Sequence, residues 1–158
     1  MWFRQTGAEF TANRGEANRQ AMCSIVEAGE IPGLLAYVDG VPAGWVSVGP
    51  REAYPRLERS RAAKRVDSEP VWSVVCFYTA ARYRGRGLMR RLIEAAADYA
   101  REQGAAVIEA YPKDAALLKP TTGAAYVGIS GAFTAAGFVE VARHQPARPL
   151  VRRTLKPE

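Results

Sequence analysis

The stretch Val71–Gly87, VWSVVCFYTAARYRGRG, runs directly into Leu88–Gly104, LMRRLIEAAADYAREQG. The first part reads as an apolar strand over Val71–Thr79 followed by a short basic loop. The second has apolar residues at Leu88, Leu92, Ile93, Ala96 and Ala100, the spacing of a helix with one face inward. Arg82, Arg84, Gly85, Arg86 and Gly87 therefore stand where a helix begins. A helix start carries unpaired N–H groups and about half a positive charge, so it suits a phosphate. Glycines let the main chain approach such a ligand, and arginines add charge-assisted contacts. No Gly-Lys-Ser/Thr occurs, which argues against a nucleotide-hydrolysing P-loop, and position 90 is Arg where a dinucleotide loop has its third glycine.

Working outward, Gly33–Val48 (GLLAYVDGVPAGWVSV) reads as a hairpin turning at Asp39-Gly40. Ala105–Pro112 (AAVIEAYP) contains a buried strand, and Ala132–Arg143 (AFTAAGFVEVAR) a helix end with Gly137-Phe138 opening the next strand. In this order, with Arg-Gly-Arg-Gly-Leu after a strand, the chain resembles the GNAT superfamily of N-acetyltransferases from about Ile31 to Leu155. The family's R/Q-x-x-G-x-G/A loop grips the pyrophosphate of acetyl-CoA. Arg82-x-x-Gly85-x-Gly87 satisfies that motif literally. Arg84-x-x-Gly87-x-Met89 sits better against the helix and is preferred, with Met89 where the family usually has Gly or Ala. The resemblance implies a mixed, mostly antiparallel α/β sheet flanked by helices, with a splayed central strand pair, as one domain over residues 1–158.

The remaining elements follow from punctuation and period. Gly15–Ala28 is a helix with Ala17, Ala21, Met22, Ile25 and Val26 at helical spacing. Pro50–Lys64 is an irregular segment with a short helix, lying over the acceptor pocket. Pro112–Ala125 is a loop, Tyr126–Ala136 a helix, and Phe138–His144 and Leu150–Leu155 final strands separated by residues 145–149. The family's first strand has only Trp2–Gln5 available to it.

At 158 residues and 48% hydrophobic content the chain can bury a core of its own. No apolar run reaches the ~20 residues of a membrane span, and the N-terminus lacks an export pattern. Cys23 and Cys76 are too few for a disulfide framework and read as reduced thiols of a cytoplasmic protein. No Cys/His cluster has metal spacing, so no metal is expected. The net charge of +6 raises the question of nucleic acid, but the arginines are spread among acids and no recognition signature accompanies them. No nucleic-acid partner is expected.

The resemblance assigns the cofactor side to Cys76, Phe77, Tyr78 and Thr79, whose main chain pairs with the pantetheine arm, and to Arg84, Gly85, Arg86, Gly87, Leu88 and Met89 around the phosphates. Some members carry a catalytic Glu at the position of Ser73. Here Glu109, inside an apolar strand, is the leading substitute as base, with a salt bridge to a nearby arginine as the equal alternative. A family Tyr is replaced by Phe133, so Tyr126, Ser130 and Tyr111 are the candidate hydroxyls for proton donation to the leaving thiolate, with water as the alternative. The implied activity is acetyl-CoA-dependent acetylation of a small primary amine. Glu52, Asp67, Glu69, Glu109 and Asp114 would hold a cationic acceptor such as an aminoglycoside-like antibiotic or a polyamine. A protein acceptor, or an acyl-CoA-binding module without turnover, are the alternatives. A homodimer is the expected assembly.

Overall fold

The computed structural model describes residues 1–117 and 124–155. Its six-stranded sheet has the order β1-β2-β3-β4-β6-β5. The strands are β1 Leu34–Val38, β2 Val41–Pro50, β3 Trp72–Thr79, β4 Val107–Ala110, β5 Val139–Gln145 and β6 Arg148–Thr154. Every neighbouring pair is antiparallel except β3 with β4. A parallel pair needs a crossover, and α4 (Leu88–Glu102) supplies it.

That helix forms because its apolar residues fall on one stripe. Leu88, Leu92, Ile93, Ala96, Ala97 and Ala100 are all buried against the sheet. The alanines let the helix axis approach the strands closely, while Arg90–Glu94 spans the solvent face. Gly104 ends it: its N–H reaches Arg101 O and that of Ala105 reaches Ala100 O, a paired C-terminal closure that requires the positive φ of 83° found at Gly104.

β3 and β4 pair only over Trp72↔Ile108, Ser73↔Glu109 and Val74↔Ala110. There β4 ends while β3 runs on to Thr79, still paired with β2. Opposite Ser47 and Val48, β3 carries one extra residue, Val75. Such a bulge shifts the alternation of side chains by one. Val74 and Phe77 consequently face the α4 core, while Val75 and Cys76 both face the second core beneath residues 54–63.

That second face holds a buried ionic cluster. Glu109 and Arg51 are 0% and 1% exposed. Glu109 accepts from Arg51 Nη1 at 2.5 Å, from Arg152 Nε at 2.9 Å, and from the Tyr111 hydroxyl. Burial first, then the Glu109 charge, pushes the Tyr111 phenol well above its ordinary value, so it stays a donor. Its single proton goes to Glu109, and Ser73 Oγ, 2.9 Å away, donates to it in turn. Arg51 also reaches Ala63 O and Glu58, and Arg152 reaches Asp67. Of the two readings of Glu109, the structure has the salt bridge, and it has two of them.

Two other expectations are corrected. Tyr126–Ala136 is not one helix: a 3-10 turn covers Ala124–Val127, and α5 is Ser130–Ala135. Gly128 separates them at φ 85°, where a Cβ would lie 2.6 Å from the Phe133 ring. The last strands are joined more tightly than expected, since Gln145 pairs with Arg148 and only Pro146-Ala147 turns. For the family's first strand, which the sequence left open as short or absent, residues Trp2–Gln5 form a turn, with Trp2 edge-on to Phe10 at 5.0 Å. The helix expected over Gly15–Ala28 is α2 (Glu16–Glu27); it buries only Asn18, and Val26 is 55% exposed. The remaining short helices are α1 Gly7–Ala12 and α3 Pro55–Glu58, the latter flanked by 3-10 turns as Pro50–Lys64 leads one to expect.

Two outcomes follow from this packing. Arg51→Met leaves a charge buried with fewer partners and should cost about 3–5 kcal/mol in urea unfolding, whereas Arg51→Met with Glu109→Leu should recover most of that loss. Phe133 is fully buried, edge-on to Phe77 and Phe138 at 5.9 and 5.1 Å. Phe133→Ala should cost ~3–5 kcal/mol, read as a lowered Tm by circular dichroism.

Candidate active site

Beyond Val74 the β4 side of β3 has no strand partner among the described residues. An open cleft of about 490 Å³ lies along that stretch. Phe77, Tyr78 and Thr79 of β3 form one wall; Arg84, Gly85 and Gly87 of the loop and Leu88 and Met89 of α4 form its end; Tyr126 and Ile129 close the far side. A strand edge left open at the centre of a sheet offers N–H and C=O groups to an extended ligand, as in strand addition.

The loop is shaped for an anion at its end. Gly85 and Gly87 have φ of 74° and 73°, a conformation that costs other residues roughly 1–2 kcal/mol. At both, a Cβ would enter open space, so the constraint is backbone conformation and not crowding. Gly87 is the N-cap of α4 without a side-chain cap. Arg91 N–H is the first to close back, on Gly87 O at 3.3 Å. The N–H groups of Leu88, Met89 and Arg90 precede it and are the unsatisfied donors of the helix start. Arg84 Nε donates to Thr79 O at 3.2 Å and so ties the loop to the end of β3. Arg82 and Arg86 lie 4.8 and 5.7 Å from the Tyr83 ring centroid.

Of the residues singled out in the sequence, Phe77, Tyr78, Thr79, Arg84, Gly85, Gly87, Leu88, Met89 and Tyr126 meet in this one cleft. Cys76, Arg86, Ser130 and Glu109 do not line it. Cys76 packs against the second core, where burial raises its thiol above the ordinary value. Ser130 Oγ accepts from Ala115 N–H at 3.4 Å. Glu109 lies in the buried ionic cluster. Tyr83 and Ile129 line the cleft without having been singled out. Tyr83 had a signal, an aromatic placed between two arginines of the loop, whereas Ile129 had none.

The acidic residues expected around a cationic acceptor are otherwise engaged. Glu52 pairs with Arg65, Asp67 with Arg152, Asp114 with Arg143, and Glu109 with Arg51 and Arg152. Glu69 lies beside β5 and β6, away from the cleft. Among the described residues no group of His, Cys, Asp and Glu could hold a metal ion, and no helix is long and apolar enough to cross a membrane.

An open strand edge leading to capless helix donors fits a long thiol ester ending in a diphosphate. Solved structures share this fold. A ribosomal-protein-alanine N-acetyltransferase from Brucella melitensis is 19% identical, with TM-score 0.55 over 89% of this chain and 78% of that one. A putative acetyltransferase from Salmonella typhimurium, solved with acetyl-CoA, is 18% identical, with TM-score 0.57 over 89% and 74%. An agmatine N-acetyltransferase mutant in its apo form is 15% identical, with TM-score 0.56 over 89% and 81%. Among curated proteins none matches in sequence. The model of the Acetyltransferase (GNAT) family matches residues 2–117. The chain belongs to the GNAT family of acetyltransferases, enzymes that use acetyl-CoA.

Proposed function

We propose that the protein transfers the acetyl group directly to the primary amine of a small molecule. The open edge of β3 beyond Val74, ending at the start of α4, is the observation that carries this reading. Bound acetyl-CoA supplies an acyl carbon activated as a thioester. The chain's own part is positioning, donation and proton transfer. The helix-start donors Leu88, Met89 and Arg90 hold the diphosphate, with Gly85 and Gly87 letting the main chain approach it. This favours the loop register that begins at Arg84. The main chain of Cys76–Thr79 orients the extended arm, and an N–H in that segment polarises the acyl carbonyl.

Tyr126, 41% exposed on the cleft wall, is the hydroxyl placed to protonate the departing thiolate. Ser130 supports it by holding the start of α5 against Ala115. Glu109 has three donors on its carboxylate and no opening to the cleft, so its part is to position β4, and water removes the amine proton. The acceptor wall is tyrosine-rich and lacks free carboxylates. A polyamine or aminoglycoside would be held there by ring faces and hydroxyls. The expected homodimer has two exposed apolar sheet edges available to it, β1 with Leu35 and Tyr37 and β5 with Val139 and Val141. The free thiols Cys23 and Cys76 accord with a reducing compartment such as the cytoplasm.

Calorimetric titration with acetyl-CoA and with 3′-dephospho-CoA, followed by thiol-release assays over an amine panel, tests the reading. Saturable acetyl-CoA binding and turnover of at least one small amine are expected. Tyr126→Phe keeps the ring and should lower kcat by about a hundredfold, with acetyl-CoA affinity retained. Absence of binding at millimolar acetyl-CoA would overturn the proposal.

A further inference from the structure

Past the end of β4, residues 111–114 leave the strand and are held from two sides. On the cleft side, Lys113 N–H donates to Gly128 O at 3.0 Å and Ser130 N–H to Lys113 O at 2.9 Å, a bridge that sets Lys113 opposite Ile129. On the side of the β5–β6 hairpin, Asp114 N–H donates to Ala147 O at 3.0 Å. Arg148, the first residue of β6, makes the other tie: its Nη2 and Nε donate to Tyr111 O at 2.8 and 3.2 Å. The cleft wall that carries Tyr126 and Ile129 therefore hangs, through residues 111–114, from the start of β6.

Arg148 differs from the other arginines around it. Arg51, Arg143 and Arg152 each meet a carboxylate. The acids of this hairpin, Asp114 and Glu140, are both bound by Arg143. Half-buried Arg148 meets no carboxylate among the described residues, and the carbonyl it does meet fills donors without cancelling charge. Taking a cation out of water is costly unless a charge matches it. Burial lowers the Arg148 guanidinium below its ordinary value, and the Tyr126 phenol works against that. An unmatched cation thus sits on the tether of the wall, and the group that answers it is the hydroxyl of that wall.

The geometry points to Arg148 as a positioning residue of the transfer: it fixes the wall that carries Tyr126 and matches the charge Tyr126 acquires on protonating the thiolate. This rests on the amine-acetylation reading. As the C–N bond forms and the C–S bond breaks, the sulfur takes the phenolic proton of Tyr126. The phenolate left behind is stabilised by a cation that is already in place. The proton that water removed from the amine then returns to the phenolate, and the hydroxyl is restored for the next turnover. The two bonds to Tyr111 O keep the guanidinium from swinging out to solvent.

Two substitutions separate charge from scaffold. Arg148→Lys keeps the cation, and Arg148→Gln keeps a donor for Tyr111 O without it; Arg148→Met takes the place of Arg148→Gln if the latter does not fold by circular dichroism. The first measurement needs no turnover. In protein labelled with ¹³C in its tyrosine rings, the Tyr126 resonances, assigned by Tyr126→Phe, should move in Arg148→Gln and stay closer to their original place in Arg148→Lys. Unmoved resonances in Arg148→Gln overturn the proposal.

The second measurement is thiol release with an amine that the protein acetylates. Arg148→Gln should lower kcat about tenfold, as loss of one neighbouring charge predicts, while KM for acetyl-CoA holds within about twofold and Arg148→Lys recovers most of the rate. In the Tyr126→Phe background, Arg148→Gln should cost less than about twofold more, because residues that act as a unit are not additive. The same factor lost in both backgrounds, or Arg148→Lys no better than Arg148→Gln, overturns the proposal and leaves amine acetylation standing. An unsubstituted protein that acetylates no amine overturns the acetylation reading and the part given to Arg148 together.

Discussion

Burying Glu109 constrains more of this molecule than any other single placement. A carboxylate out of water costs several kcal/mol even after relaxation unless its lone pairs are filled and its charge is matched. Meeting that requirement draws four separate parts of the chain to one point. Arg51 arrives from the turn after β2, Arg152 from β6, Tyr111 from the end of β4, and Ser73 from β3. Arg51 then reaches Ala63 O and so holds residues 51–63 over the second face, where Tyr54 and Leu57 complete the core. Well-packed apolar residues could give as much net stability. In the observed register Ser73 and Arg152 stand opposite Glu109 on β3 and β6, so the pairing of all three strands meets at the cluster.

The same anchor determines where the sheet opens. Ser73 and Glu109 are partners across β3 and β4, and one pair later the ladder stops. From there β3 leans only on β2, past a bulge at Val75 that turns its side chains by one position. Phe77 is thereby committed to the α4 core, with Phe133 behind it, and residues 77–79 are left along the cleft. An open edge in mid-sheet is an aggregation hazard in most proteins. Here the start of α4 and the turn at Ala124–Val127 flank it, so that it admits an extended ligand and excludes a second sheet.

Much of this was legible in the sequence wherever one residue's neighbours in space are also its neighbours in the chain. The stripe from Leu88 to Ala100 belongs to a helix because its period is local, and the glycine loop before it needs no distant partner. The misreadings have equally local causes. Tyr126 and Ala136 lie within one apolar run, but Gly128 breaks it at a positive φ, with Phe77 and Phe133 packed where a Cβ would be, and that crowding is visible only once those rings are packed. Pro146 and Pro149 suggested a long break, yet one occupies the turn and the other a strand of the sheet's outer hairpin. The fate of Glu109 could not be settled from its own strand. Its partners lie 58 and 43 residues away, and nothing in AAVIEAYP distinguishes a buried base from a doubly paired anchor.

The acidic residues carry this point to function. Glu52, Asp67, Glu109 and Asp114 suggested a cationic acceptor when read as free charges, and each proves to be half of an arginine pair. What a site offers is the charge left over after such pairing. Arg56 is held instead by the face of the Trp2 ring. The N-terminal residues do not add a strand to the sheet. Residues 2–5 turn instead, and Trp2 lies under Arg56. At the start of the chain, stacking of Arg56 on Trp2 thus does what carboxylate pairing does for Arg51, Arg143 and Arg152 elsewhere.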